Sequence, residues 1–201
     1  MRHMAETTHT PAPGVAEHPS LALVDSAGEL PGGRRFDDLA TPDSTTAWLV
    51  ARDLVAPGVQ LYEHCQGRLT GLRKAVRDLM AAHVERTAPA DGAVRILNDA
   101  LTSAPGALRL HFDEETGFVR NAEHPATQVV EHAMAVIAED AAALLTNNEA
   151  SMLAVCEAES CERFFLRTHA RRQWCSTRCG DRVRAARAYA RKRAALSGQA
   201  T

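Results

Sequence analysis

Cys156-Glu-Ala-Glu-Ser-Cys161, then thirteen residues, then Cys175-Ser-Thr-Arg-Cys179-Gly180-Asp181-Arg182: this stretch holds four of the chain's five cysteines within a window of 24 residues. Two close pairs let two local turns each supply half of a tetrahedron, and thiolates are the preferred donors of structural zinc. The residues therefore point to a Zn2+ site built from Cys156, Cys161, Cys175 and Cys179. Reactive thiols, a disulfide and a four-cysteine iron–sulfur cluster are the alternatives that the spacing leaves open. His169 is expected at an exposed turn, since four cysteines already fill the coordination sphere. The thirteen residues between the pairs predict a hairpin, Arg163 to Arg167 turning at Thr168 to Ala170 and returning over Arg171 to Trp174. Phe164, Phe165 and Trp174 are the expected core of a unit that needs metal and aromatics together. The second pair stands at the mouth of a helix, whose positive end, with Arg178 and Arg182, offsets the charge of a tetrathiolate.

Past Cys179 the chain is rich in Ala and Arg and reads as a helix. Arg184, Arg187 and Arg191 recur at i, i+3 and i+7, a stripe that presents guanidiniums to a phosphate backbone or a groove. With Arg171, Arg172, Arg182, Lys192 and Arg193 they form the candidate nucleic-acid-binding set. The charge distribution agrees: residues 156–201 carry eleven basic against four acidic groups, net +7, whereas residues 1–155 carry net -9. Such an asymmetry suits a polyanion at one end and solubility at the other. A solvated surface helix is the plainer reading of the same stripe.

Upstream, residues 1–19 are polar and proline-bearing and read as a disordered leader, with residues 197–201 as a disordered tail. No apolar run reaches the length of a signal peptide or a membrane span, so the expectation is a cytoplasmic protein without membrane contact. Leu21 to Asp25 reads as a short strand and Gly28 to Arg34 as a loop. Thr41 before Pro42 is a helix start, with Trp48, Leu49 and Leu54 on its apolar face and Ala56 to Gly58 as its end. Val59 to Arg86 keeps the period of a long amphipathic helix, with Cys65 in phase with its core face. Ala93 to Leu101 is a shorter helix. Leu108, Leu110 and Phe112 alternate as a strand, Asp113 to Gly117 turn, Phe118 to Asn121 return, and a long helix follows Pro125. The acidic Asp113, Glu114 and Glu115 are a solvated hairpin tip. The scattered histidines form no catalytic constellation, and nothing argues for an enzyme. The fold class is thus α+β: a mainly helical domain over 20–148 with a small antiparallel sheet, then a four-cysteine zinc module over 150–196, hairpin followed by helix, treble-clef-like.

At these residues the chain resembles the CGNR zinc finger family of bacterial transcription regulators, named for the tetrad that reads here Cys179-Gly180-Asp181-Arg182. Phe165, Arg171, Arg172, Trp174 and the other three cysteines fit the family pattern, and Asp181 replaces an asparagine. Leu39, Pro42, Trp48 and Leu49 are similar to the helix of the family's N-terminal ABATE-type domain, while Leu21 to Ser26 departs from its opening segment. The resemblance implies a stress-responsive regulator whose zinc module binds double-stranded DNA, with an N-terminal domain that senses an unidentified small-molecule effector or forms a homodimer. RNA, or an acidic protein surface such as the chain's own N-terminal domain, are the other partners that the basic helix suits.

Overall fold

The computed structural model describes residues 10–30, 33–104, 107–123 and 128–198. Its elements run α1 (Pro19–Val24), β1 (Ala27–Leu30), β2 (Arg34–Asp37), α2 (Pro42–Val50), α3 (Glu63–Glu85), α4 (Ala93–Thr102), β3 (Ala107–Asp113), β4 (Gly117–Glu123), α5 (Val129–Thr146), a 3-10 turn (Asn148–Met152), β5 (Leu153–Val155), β6 (Phe164–Leu166) and α6 (Thr177–Gly198). The class is α+β as expected. Among the described residues the strands form three separate antiparallel hairpins: β1–β2 and β3–β4 in the helical domain, where the sequence predicts one small sheet, and β5–β6 in the zinc module.

The body is organised by α3. Leu69, Leu72, Val76 and Met80 fall on one face at helical spacing and are fully buried, and that face packs against α4 and α5. From α5 come Ile137, Ala141 and Leu144, also fully buried. Burying each such leucine or isoleucine contributes about 1.5–3 kcal/mol, so this layer dominates the stability of the body. Arg68 and Glu131 pair across α3 and α5. Half-buried Cys65 packs against the same core. The start of α2 is as the sequence predicts: Thr41 Oγ1 accepts the Ser44 N–H at 3.1 Å and the Ser44 hydroxyl accepts the Thr41 N–H, with Pro42 in the first turn. The helix ends at Val50, before Leu54.

Several expectations are corrected. Leu21 to Asp25 is no strand but the buried helix α1 and its cap. A four-residue apolar run buried on every side has no period to read, and Pro19 together with Asp140 settles it. The Asp140 carboxylate on α5 accepts the Ser20 N–H at 2.9 Å and the Ser20 hydroxyl at 2.5 Å. The expected loop at Gly28 to Arg34 contributes to hairpin β1–β2, with residues 31–32 outside the described part. Gly28 faces Phe36, whose ring lies 3.2 Å from where a Cβ would stand. The long helix begins at Glu63, four residues later than Val59. Residues 10–18, placed in the leader by composition, are packed: Ala12 is buried and the Pro13 carbonyl accepts the Leu166 N–H at 2.9 Å. His18 bonds Asp140 at 2.9 Å. Residues 1–9 lie outside the described part. At the other end α6 reaches Gly198, and 199–201 lie outside as well.

The turn between β3 and β4 is a solvated tip, as expected. The Asp113 carboxylate accepts the Thr116 and Glu115 N–H groups, each at 2.9 Å, and these bonds hold it below the ordinary carboxylate range. Its acidic cluster therefore serves the turn. α3 and α5 bury most of their apolar residues inside the chain, while Leu110, Phe112 and Phe118 stand exposed on β3–β4.

Candidate metal centre and basic surface

The first cysteine pair is held by the loop of hairpin β5–β6. Pairing runs Leu153 to Leu166, Ala154 to Phe165 and Val155 to Phe164, and Cys156 N–H continues the ladder to the Arg163 carbonyl at 2.9 Å. This corrects the expected hairpin: Phe164 to Leu166 pair backward with β5, and Arg171 to Trp174 form no strand. The latter segment instead lies against the first loop, its Gln173 carbonyl accepting the Glu157 N–H at 3.1 Å. The reason is register, because successive strand residues face opposite ways. Leu153 and Phe164 enter the core of the body, flanked by Val155 and Leu166, while Ala154 and Phe165 enter a second core with Ala12, Ala158, Cys156, Cys175 and Cys179.

The second pair sits at the start of α6. Ser176 caps the helix, its hydroxyl accepting the Cys179 N–H at 3.2 Å, so Cys179 lies in the first turn, where the helix dipole favours a thiolate. Gly180 follows because the Trp174 ring lies against it: a Cβ there would be 2.9 Å from the ring.

All four sulfurs lie within 4.8 Å of one another. Cys161 to Cys175, Cys175 to Cys179 and Cys179 to Cys161 are 3.8, 3.7 and 3.8 Å apart. A tetrahedral ion bound at about 2.3 Å by four sulfurs requires an edge of about 3.8 Å. The geometry fits one zinc-sized ion and is far too open for a disulfide. Cys156 Sγ also accepts the Cys175 N–H at 3.4 Å, a bond that supports ligand charge. The S–H groups of Cys161 and Cys175 hold Cys156 well below the ordinary thiol range, while the bond to Cys156 pushes Cys161 up to about 11. Cys175 is pushed up as well, chiefly by Cys156 and then Cys161. A divalent ion held by Cys156, Cys161, Cys175 and Cys179 would stabilise all four as thiolates together. His169 is exposed and stands outside the cluster.

The basic residues divide into two groups. Arg172 turns inward, donating to the Trp174 and Cys175 carbonyls at 3.0 and 3.1 Å with its guanidinium over Phe165. Arg182 donates to the Glu159 carbonyl at 2.7 Å and fastens the first cysteine loop to α6. Arg184 is held by Asp181 at 2.6 Å and lies over the Trp174 ring. Asp181 therefore orients an arginine of its own helix. Arg171, Arg187, Arg191, Lys192 and Arg193 are exposed. From Arg184 to Ala195 every residue of α6 is exposed, so this stretch of the helix extends as a basic arm.

Sequence reasoning passed over the seam between body and module. Arg163 makes two 2.6 Å bonds to the Asp25 carboxylate, both side chains largely buried. Burial works against the Arg163 charge, and Asp25 more than offsets it, so its pKa lies above the ordinary arginine value. Arg77 of α3 donates to the Glu162 carbonyl at 2.9 Å and lies over Phe164. The signal was in Leu21 to Ser26, where Asp25 follows an apolar run. A cleft of about 800 Å³ lies along this seam, lined by β1–β2 residues such as Phe36, by Arg73 and Arg77 of α3, and by Ser160 and Glu162 of the first cysteine loop.

No helix among the described residues is long and apolar enough to cross a membrane. Compared with known families, residues 17–148 match the ABATE model, described as "Putative stress-induced transcription regulator", and residues 152–192 match the CGNR zinc finger. Neither is an enzyme family. No curated protein matches the chain. The four-sulfur cluster and the finger match together give a structural zinc site, which Cys156, Cys161, Cys175 and Cys179 would hold.

Proposed function

Because the chain belongs to the ABATE family and ends in a CGNR zinc finger, we propose that it is a cytoplasmic transcription regulator that binds double-stranded DNA through the basic arm of α6. The observation that carries the reading is the run of exposed residues from Arg184 to Ala195, which brings Arg187, Arg191 and Lys192 to solvent on a helix anchored by the zinc site. A helix of this kind supplies phosphate contacts without local rearrangement, and its affinity should fall steeply with salt. Zinc acts structurally, by fixing where the arm leaves the body. The body is the sensing part, and the cleft along the seam is the place where a small-molecule effector would reach both units.

The test is fluorescence anisotropy of the zinc-loaded full chain on random duplex DNA across a salt series. The whole chain is needed because a fragment beginning at residue 150 would expose Leu153 and Phe164. Replacing Arg187 and Arg191 by Ala should reduce the slope of log affinity against log salt by about 1.8, two phosphate contacts' worth. Absence of binding, or a slope that the double variant leaves unmoved, overturns the reading. Tighter binding of a single-stranded or structured RNA would move it to RNA.

A further inference from the structure

A second cationic feature lies on the zinc module apart from the arm. Arg167, Arg171, Arg172 and Gln173, with Ala170 and Glu157, line a pocket of about 390 Å³. The Nε–H of Arg167 is buried in the fold and has no hydrogen-bond partner. That nitrogen is closed to solvent, so an acceptor arriving from the pocket meets the guanidinium at its outer N–H groups, for which no partner occurs among the described residues. No ion pair of Arg167 or Arg171 occurs among the described residues. Arg172 is different: its donors are committed to the Trp174 and Cys175 carbonyls. It acts as the wall that keeps its neighbours in place.

We propose that Arg167 and Arg171 form a phosphate-binding pocket, seating one phosphodiester of a bound nucleic-acid backbone and giving the module a contact independent of α6. The identity of the ligand as a backbone phosphate rests on the regulator reading above; the affinity of the pocket for an oxyanion does not. The chemistry selects phosphate because a guanidinium presents N–H groups in a planar fork matched to its oxygens, and the pocket is roomier than the bare group, leaving space for the flanking ester chains. Exposed Glu157 at the rim opposes anions. It sets a limit on affinity and supplies a variant with the opposite sign.

The experiment follows the Arg167 Nε–H resonance in the zinc-loaded full chain, assigned by its loss in Arg167→Lys, during separate titrations with inorganic phosphate and with duplex DNA. Both should shift it saturably. Arg167→Ala should weaken DNA binding several-fold and lower the salt slope by about one, and Glu157→Gln should tighten binding several-fold. The second variant keeps the test sharp if the first fails to fold. Duplex binding that leaves the Arg167 resonance and the Glu157→Gln affinity unmoved overturns the pocket while the regulator reading stands. A phosphate-induced shift in a protein that ignores nucleic acid sinks the regulator reading and supports the site as an oxyanion pocket. No shift with either ligand overturns the proposal.

Discussion

The body and the zinc module solve the same problem by different means. In the body, α1, α3, α4 and α5 bury an apolar core of ordinary composition, and its stability is the sum of many similar contributions. The module's own core is a handful of residues, three of them cysteines of the metal cluster. A unit that small leaves the entropy of ordering its chain uncovered by apolar burial alone, so the ion does what a second layer of leucines does elsewhere. The difference teaches that the metal is part of the hydrophobic core's arithmetic, and that only one of the two regions should fail when it is withdrawn.

The largest effect expected is therefore from zinc. Chelation, or Cys175→Ser, should abolish amide protection across the two cysteine loops and the first turns of α6, while the amides of α3 and α5 keep theirs. Structural zinc contributes about 10–16 kcal/mol in small fingers. Hydrogen exchange read by mass spectrometry checks this, and a module that stays protected without metal would break the distinction between the regions. Next is the seam. Asp25→Ala strands the Arg163 guanidinium in a largely buried site, a loss of about 3–5 kcal/mol. The urea midpoint of the whole chain should fall and zinc should leave faster, because Arg163 stands beside the first cysteine loop. A drop in stability with no change in zinc release would mean that the regions are less coupled than this bond implies. The smallest is Gly180→Ala, which sets a methyl group against the Trp174 ring and should cost about 1–3 kcal/mol. It should raise the rate of zinc loss and leave the unfolding of the body untouched; a lower body midpoint would count against a purely local effect.

What the sequence revealed follows the same division. The metal cluster was legible because its chemistry needs one residue type at close spacing, and α3 and α5 because long amphipathic helices repeat their period many times. Thr41 and Pro42 were legible because a cap is a local event. Leu21 to Val24 was not, since burial on all sides erases the period that separates helix from strand. The hairpin of the module was misjudged for another reason: Phe164 to Leu166 could pair with either neighbour, and the choice was made by the body, which requires Leu153 and Phe164 on one side. The basic set was read as a list of equals. Three-dimensional packing sorts it, turning Arg172 and Arg182 to structural work and leaving Arg187 and Arg191 outward. Arg167 carried no pattern at all, and only its unpartnered donor singles it out.

The hairpin β5–β6 has a consequence for how such a chain can change over generations. Two family segments meet at residues 148–152, and a recombination event there would look harmless on paper. Yet the strand pair that follows is a party wall, with Leu153 and Phe164 belonging to one household and Ala154 and Phe165 to the other. A finger transplanted onto this body must bring side chains that suit α3 and Asp25 as well as its own metal, so the two segments are bound to drift together.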